Sequence, residues 1–505
     1  MRVAFRVDAS PAIGSGHLMR CLTLAARLAS AGCDIAFVCR QLPESLEALV
    51  REAGHDCIRL PTPADTTRIA TAGDPPHAAW LGVSWETDAQ ESCTALAGGV
   101  DWLVVDHYGI DARWQGRLRD AARRIMVIDD LADRPHDCEL LLDQNLYADM
   151  TERYAGRVAA HCRLLLGPRH ALLRDEFATL RGRIVARDGE VRRLLVFLGG
   201  MDADNVTATV LAALEALPTR HFASDVVIGA GHPARGRIEG ECSRLGLACH
   251  VQTPRMAELM AAADLAIGAG GTATWERCAL GLPTLALCLA DNQRQLIHDA
   301  SRAGLLHGPD ISATDAAAIA RHLAALLDSA GLRRLLSATG MAAVDGRGAA
   351  RVVRAMGISE IEVRPATAAD STSLFAWRNS PEIRAVSRSS TPIPQADHAR
   401  WLAAVLADPD RPLLIGARAG EPVGVVRFDI DATTAEVSIY LVPGKGGEGL
   451  GSALLTAAEA WLSETRPALD TLLAEVLGDN RASHRLFTGC GYALQQTRYR
   501  KRIHP

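Results

Sequence analysis

The 505-residue chain is almost without lysine: Lys445 and Lys501 are the two, and every other base is arginine. Paired with abundant alanine, this reflects a GC-rich coding genome rather than any chemistry. Excess charge is missing too. Lys and Arg number 54 against 59 Asp and Glu, giving a net charge of −5. That balance argues against a generally cationic nucleic-acid or membrane binder, because such proteins depend on a net positive field. No C-x-x-C pair occurs among the twelve cysteines, so a zinc ribbon or a thioredoxin-like dithiol has no framework. Cys21, Cys33 and Cys39 read as small apolar residues of a reducing compartment. No apolar run approaches the ~20 residues that span a bilayer. The opening Met-Arg-Val-Ala-Phe-Arg-Val-Asp8 lacks the apolar core of a signal peptide. A soluble cytoplasmic protein is the expectation. Short-period repeats and low-complexity tracts are also absent. The 48% hydrophobic and 22% charged composition is that of packed globular protein.

Three blocks follow one another. The first alternates strand-like runs (residues 3–7, 35–39, 102–106 and 125–129) with helical patterns such as 17–30. This is the signature of βαβ units and a parallel sheet. Gly14, His17, Asp106 and Asp129 fall at the carboxyl ends of those strands, where ligands bind. The second block has the same pattern of short apolar runs ending in glycine turns. Residues 194–198 run into Gly199-Gly200, 226–228 into Gly229-Ala-Gly231, and 265–267 into Gly268-Ala-Gly-Gly271. Two such halves in tandem make a cleft between them. The third block begins near Glu360, after an Arg- and Gly-containing connecting stretch at 345–354. It reads as a strand at 360–364, helices at 370–379 and 395–407, and antiparallel strands at 413–417, 421–428 and 435–441. A Gly-rich loop, a helix at 452–463 and a strand at 471–476 follow. The expected fold class is α/β, with two Rossmann-like domains at 1–163 and 164–352 and a C-terminal α+β domain at 359–505.

Two constellations carry chemistry. After the first strand, Gly14-Ser-Gly16-His17 makes a tight turn whose free backbone N–H groups suit an anion. His17 then sits in the first turn of a helix, where the positive helix end favours the neutral, proton-accepting imidazole. In the second block, Gly270-Gly271-Thr272 suits a pyrophosphate, and Glu276 one turn later suits a ribose diol. Asn292 and Gln293 follow the next strand. Asp8, Asp129 and Asp130 read as helix caps or as partners of a neighbouring histidine, with Asp106 carried as a site residue. His107, His170, His232 and His250 read as packing or loop histidines. No cluster has metal-ligand spacing, so no metal is expected.

Residues 1–350 resemble the nucleotide-sugar hydrolase of pseudaminic acid biosynthesis, a relative of MurG-type glycosyltransferases with the GT-B arrangement. The matching pieces are Arg6-Val-Asp-Ala-Ser, Gly14-Ser-Gly-His-Leu-Met-Arg20, Val105-Asp-His-Tyr-Gly109, Ile128-Asp-Asp-Leu-Ala-Asp133, Leu166-Gly-Pro-Arg-His-Ala-Leu-Leu-Arg174, Leu198-Gly-Gly200, Gly270-Gly-Thr-Ala-Thr-Trp-Glu-Arg277 and Asn292-Gln293. The resemblance implies removal of UDP from UDP-2,4-diacetamido-2,4,6-trideoxy-β-L-altropyranose, by inverting attack of water at the anomeric carbon. It implies His17 assisting the water and Tyr108 and Asn292 lining the sugar site. Gly270, Gly271, Thr272, Glu276 and Gln293 would hold UDP, with Gly14, Gly16, Arg20, Asp106 and Gly200 as further substrate contacts.

In the third block, Leu441-Val442 leads into Pro-Gly-Lys-Gly-Gly447-Glu-Gly449-Leu450-Gly451-Ser452. Downstream lies Asn480-Arg-Ala-Ser483-His-Arg-Leu-Phe-Thr-Gly-Cys-Gly-Tyr492. The pair resembles the GNAT acetyltransferases, which implies acetyl-CoA as co-substrate with its pyrophosphate on Gly447–Gly451 and with Asn480 and Ser483 in the downstream motif. Trp377-Arg378-Asn-Ser-Pro-Glu-Ile-Arg384 and His398-Ala-Arg-Trp401 resemble the subgroup that acetylates UDP-linked amino sugars. That implies phosphate contacts from Arg378, Arg384 and His398, and Glu475 relaying a proton from the amine. Phe487 departs from the pattern by standing where the family commonly has a tyrosine, leaving water, Tyr492 or Tyr499 to protonate the thiolate.

The combined expectation is a bifunctional enzyme that acetylates the 4-amino group of UDP-4-amino-4,6-dideoxy-N-acetyl-β-L-altrosamine and then hydrolyses the product. The alternatives are a glycosyltransferase, a non-catalytic GNAT-like sensing module, and an enzyme of a related nonulosonic acid pathway. The expected partners are the UDP-amino sugar and acetyl-CoA, with neither nucleic acid nor membrane. The sequence leaves oligomeric state open.

Overall fold

Five of the six residues of Arg2–Val7 (β1) are buried, the pattern of a strand covered on both faces. The structure is a computed structural model that describes all residues except 11, 63–72, 188, 219, 359–360, 388–389, 419, 447–449, 477–479 and 496–505. In it, β1 is an interior strand of a seven-stranded sheet. The sheet also holds β2 (Asp34–Cys39), β3 (Asp56–Arg59), β4 (Trp102–Asp106), β5 (Ile125–Ile128), β6 (Leu140–Asp143) and β7 (Arg163–Leu166). Its order is β3-β2-β1-β4-β5-β6-β7, with every pairing parallel. The order reverses between β1 and β4, which opens a crevice at their carboxyl ends. Val7 pairs with Asp106, so the His17 loop and Asp106 leave the sheet side by side.

The second sheet repeats the plan with β8 (Arg193–Phe197), β9 (Ala223–Ile228), β10 (Ala248–Val251), β11 (Leu265–Ala269) and β12 (Thr284–Leu287). Its order is β10-β9-β8-β11-β12, again parallel. Residues 1–356 form one compact unit.

Two expected borders move. β7 pairs with β6 as the last strand of the first sheet, so a border at 163/164 would cut it off. Only one of its four residues is buried, which left little apolar signal. The stretch 345–354, expected to be a connector, instead contributes to a helix, Gly348–Ala355, that buries Ala349, Val352 and Val353. This helix returns to the first sheet: Trp102 Nε1–H donates to the Met356 carbonyl at 3.1 Å, and Arg351 donates to the Arg169 carbonyl at 2.7 Å.

Residues 357–505 form the second unit. Its sheet runs β13 (Glu362–Pro365), β14 (Leu413–Arg418), β15 (Glu421–Asp431), β16 (Thr434–Leu441) and β17 (Thr471–Leu473). The pairings are antiparallel except for the parallel β16–β17 pair. That pair joins only Thr434–Glu436 to Thr471–Leu473. β16 then continues to Leu441 without β17, so the sheet opens there. The strand expected to reach residue 476 stops at Leu473. Helix Leu450–Thr465 covers one face, with Leu454, Leu455, Ala458 and Leu462 packed on Leu414, Val426 and Phe428. Gly416 and Gly424 make this approach possible, because a Cβ on either would lie 2.2 or 2.5 Å from Leu454 methyls. The opposite face packs Leu374, Leu402, Trp377, Trp401 and Tyr440. Among the described residues, no helix is long and apolar enough to cross a membrane.

Below the first crevice lies a buried ion cluster that sequence reading did not find. Asp88, fully buried, accepts from Arg6 at 2.7 Å, Arg40 at 2.9 Å and Trp114 at 2.9 Å. Asp8 pairs with Arg6 at 2.8 Å and takes the backbone N–H of Arg40. Removing one member of a buried pair strands the other's charge. Asp88→Ala is therefore expected to destabilise the chain by about 3–5 kcal/mol, read from the urea midpoint of the transition that unfolds residues 1–356.

Candidate active site

The loop after β1 turns at Gly14, whose φ of 79° is reached freely only by glycine. The turn closes with the Gly14 N–H on the Ser10 carbonyl at 2.7 Å. Helix Gly16–Ser30 then begins, placing His17 and Arg20 one turn apart on one face. Both reach the buried Asp106. His17 Nδ1 lies 2.6 Å from Asp106 Oδ1, while Arg20 donates to Oδ2 at 2.6 Å and to Oδ1 at 2.7 Å. Burial alone would raise the Asp106 pKa, but Arg20 and His17 outweigh it and hold the carboxyl well below the usual range. A carboxylate on Nδ1 fixes the tautomer with the proton on that atom and leaves Nε2 to accept one.

The same guanidinium bridges to Asp130 at 3.2 Å, and Asp130 also accepts the Tyr108 hydroxyl. Burial and Asp130 push the Tyr108 phenol far up, so it is a neutral donor. Its ring meets His17 edge-on at 4.6 Å and stacks on Trp80 at 5.6 Å. Asn145 donates to Asp130 at 3.3 Å and accepts from Trp275 Nε1–H at 3.0 Å. Trp275 belongs to helix Thr272–Ala279 of the second half, so this chain of bonds crosses the crevice.

A cavity of about 210 Å³ lies between the two halves. His17, Gly16, Arg20 and Tyr108 line it from the first half, and Gly270, Gly271, Thr272, Asn292 and Gln293 from the second. Gly271 has φ 154° and ψ −165°, a backbone region that is essentially glycine's. A Cβ on Gly270 would stand 2.8 Å from Ile297. The turn thus sits tight on the next helix and brings backbone N–H groups to the wall. Gln293 accepts from the Leu289 N–H at 3.0 Å.

Other expected residues lie behind or beyond the wall. Asp106 is fully buried behind His17, and Gly14 shapes the turn. Gly200 is exposed and abuts Gly229. Glu276 lies 3.9 Å from Arg174, and burial raises its pKa. Three polar wall residues were missed, Asp130, Asn145 and Tyr147. Asp130 stands within the quoted Ile128-Asp-Asp-Leu motif, which was the available signal. Asn145 and Tyr147 follow β6, a four-residue strand that periodicity did not reveal.

In the second unit, Gly447 and Gly449 lie outside the described residues, as does Tyr499. Leu441 ends β16, and Val442 follows it with its N–H on the Val423 carbonyl at 2.9 Å. Leu450, Gly451 and Ser452 open the helix beside them. Asn480 caps its own helix by accepting the Ser483 N–H at 3.1 Å. Glu475 is exposed, beyond the end of β17. Arg384 uses its guanidinium on the Asn379 and Ser390 carbonyls, holding its own loop. Arg378 Nη1 and His398 Nε2 are buried without a hydrogen-bond partner among the described residues. Phe487 is core, and Tyr492 donates to Glu459 at 2.7 Å.

Two outcomes are expected. Trp275→Phe deletes the indole donor and leaves Asn145 Oδ1 unpaired, which costs about 1–3 kcal/mol in chemical denaturation. Burial, then Arg378, lowers the His398 pKa, so the unfolded chain binds the extra proton. Its contribution is whole above about pH 6.5 and is lost as pH falls below that. His398→Phe is therefore expected to flatten the acid limb of the second unit's stability–pH curve.

Comparison with known proteins follows this division. Residues 360–493 match the family model described as acetyltransferase (GNAT) domain. The UDP-2,4-diacetamido-2,4,6-trideoxy-beta-L-altropyranose hydrolase of Campylobacter jejuni is 26% identical over 222 residues, covering 42% of this chain and 66% of that protein. The spore coat polysaccharide biosynthesis protein SpsG of Bacillus subtilis is 27% identical over 200 residues, 38% of this chain and 57% of that one. The chain thus spans somewhat under two thirds of the relatives' own length. The crystal structure of MurG from Acinetobacter baumannii aligns with 70% of this chain and 99% of its own, at 12% identity and a TM-score of 0.48. The chain joins two Rossmann-like domains, similar in sequence to a nucleotide-sugar hydrolase and to SpsG, to a GNAT acetyltransferase domain.

Proposed function

We propose that residues 1–356 hydrolyse a UDP-linked diacetamido-trideoxy sugar of the altropyranose type, and that residues 357–505 supply this substrate by N-acetylating its 4-amino precursor with acetyl-CoA. The observation that carries the reading is the meeting, across one cavity, of a carboxylate-held histidine and a glycine turn at a helix N-terminus.

Water attacks the anomeric carbon while His17 Nε2 takes its proton. The C–O bond to the diphosphate breaks, and UDP leaves with the bonding pair. Asp106 holds the ring and stabilises the imidazolium that forms. Within this group two carboxylates, Asp106 and Asp130, share the one Arg20 guanidinium. Backbone N–H groups at Gly270–Thr272, with the positive end of their helix, receive the charge that grows on the leaving diphosphate. Tyr108 and Asn292 line the sugar side and Gln293 the nucleotide side, with Glu276 beyond the cavity wall as the expected partner of the ribose. This water-soluble chemistry suits the cytoplasm.

In the second unit, acetyl-CoA lies where β16 and β17 part, with its pyrophosphate on the loop before helix Leu450–Thr465. The amine attacks the thioester carbonyl, the C–S bond breaks and the thiolate leaves with the bonding pair, while the proton shed by the amine passes to water, relayed by Glu475. With Phe487 in the core and Tyr492 held by Glu459, water protonates the thiolate. Arg378 Nη1 and His398 Nε2, without a hydrogen-bond partner among the described residues, support an anionic contact to the substrate.

The test is a proton NMR time course with UDP-4-amino-4,6-dideoxy-N-acetyl-β-L-altrosamine. An acetylated UDP-sugar is expected only with acetyl-CoA, followed by free sugar and UDP. His17→Ala is expected to stall at the intermediate, and Asp106→Asn to lower kcat by roughly 10²-fold or more. Sugar transfer only in the presence of an acceptor would make the first unit a glycosyltransferase. Tight acetyl-CoA binding without turnover would make the second a sensing module.

A further inference from the structure

Arg277 lies in helix Thr272–Ala279 directly behind the glycine turn, and is 2% exposed. One of its amino groups donates to the Ala269 carbonyl at 2.8 Å and contacts Thr274 Oγ1 at 3.2 Å. Among the described residues its Nε has no hydrogen-bond partner. Among the described residues, no carboxylate lies within ion-pair distance of it. Glu276, its neighbour on the helix, turns to Arg174 at 3.9 Å.

The chain's other buried arginines are compensated. Arg6, Arg20, Arg40 and Arg134 sit on carboxylates. Arg187 and Arg333 collect backbone carbonyls at the carboxyl ends of helices Met256–Ala262 and Ala316–Asp328, where the helix dipole is negative. Arg277 does the opposite. Its guanidinium reaches back toward the amino end of its own helix and adds a full charge to the positive end of the dipole. The cost is visible: burial pushes its pKa down to about 10, which still leaves it charged at neutral pH.

The turn is shaped around it. A Cβ on Gly268 would stand 2.5 Å from Arg277 Nη1 and 2.7 Å from Cζ, so only glycine lets the guanidinium lie against the strand end. The other side of that turn, Gly270–Thr272, is cavity wall. An uncompensated buried cation is costly until an anion arrives.

We infer that Arg277 is an electrostatic positioning residue for the diphosphate of the bound nucleotide, acting through the turn Gly268–Thr272 from behind the cavity wall. This rests on the reading of residues 1–356 as a UDP-sugar enzyme, and it assigns the diphosphate a full positive charge in addition to the helix end.

The experiment is calorimetric titration of the full chain with UDP, uridine and inorganic pyrophosphate. Four proteins are compared: wild type, Arg277→Gln (neutral, donor kept), Arg277→Lys (charge kept) and Gly268→Ala (guanidinium displaced). Arg277→Gln and Gly268→Ala are expected to weaken UDP and pyrophosphate by about tenfold or more, and Arg277→Lys by about threefold or less. Uridine affinity is expected to hold within about twofold throughout. Equal losses for Gln and Lys, or uridine falling in step with UDP, would mean a packing role and overturn the inference. So would wild-type UDP affinity in a folded Arg277→Gln protein. If Gln and Lys variants fail to fold, Gly268→Ala decides alone. Charge-dependent UDP binding in a wild type that hydrolyses no UDP-sugar would sink the proposed reaction and leave this inference standing.

Discussion

The Asp106 carboxylate is the point on which the first unit's site depends. It is withdrawn from water at the end of a central strand, an unfavourable place for a charge. Arg20 and His17 offset that penalty, and both come from the first turns of one helix. The same interaction orders the surroundings outward: Arg20 reaches Asp130, Asp130 takes Tyr108 and Asn145, and Asn145 takes Trp275 from the other half. One buried charge therefore fixes the histidine's tautomer and helps set how far apart the two walls of the cavity stand.

Using the same doubly wound plan twice explains why the walls differ in chemistry. Each sheet has its crevice where strand order reverses, but the first fills its crevice with side chains and the second with backbone. The first wall is rich in groups that titrate or donate, suited to handling a proton. The second offers a tight turn and a helix end, suited to receiving negative charge. An anomeric bond lying between them would have its nucleophile and its leaving group served by different domains.

Much of this was legible in residues. Glycine turns after apolar runs marked β1, β8 and β11, because a turn at a strand's carboxyl end leaves a local signature. His17, Gly270, Gly271 and Thr272 stand on the cavity at such turns, and Tyr108, Asn292 and Gln293, expected from the family resemblance, line it too. What failed to show were contacts made across long separations. β6 and β7 are four residues each, too short for a periodic pattern, and so Asn145 and Tyr147 had no strand to be placed on. Asp88 sits in the first turn of helix Trp85–Ala95, and its two arginines lie 82 and 48 residues away. In the second unit, Asn480 and Arg384 carried plausible ligand chemistry, yet their side chains are taken up by their own backbone.

The helix Gly348–Ala355 bears on how such a chain arises. Because it folds back and is clasped by Trp102 through the Met356 carbonyl, every described strand and helix of residues 1–356 is complete before the second unit begins. A gene encoding the first unit could acquire or shed the second at a single joint past residue 356, with no secondary-structure element of the cleft interrupted. The architecture is thus open to fusion at its carboxyl end, and selection could test a second catalyst beside the first without first having to repair the original.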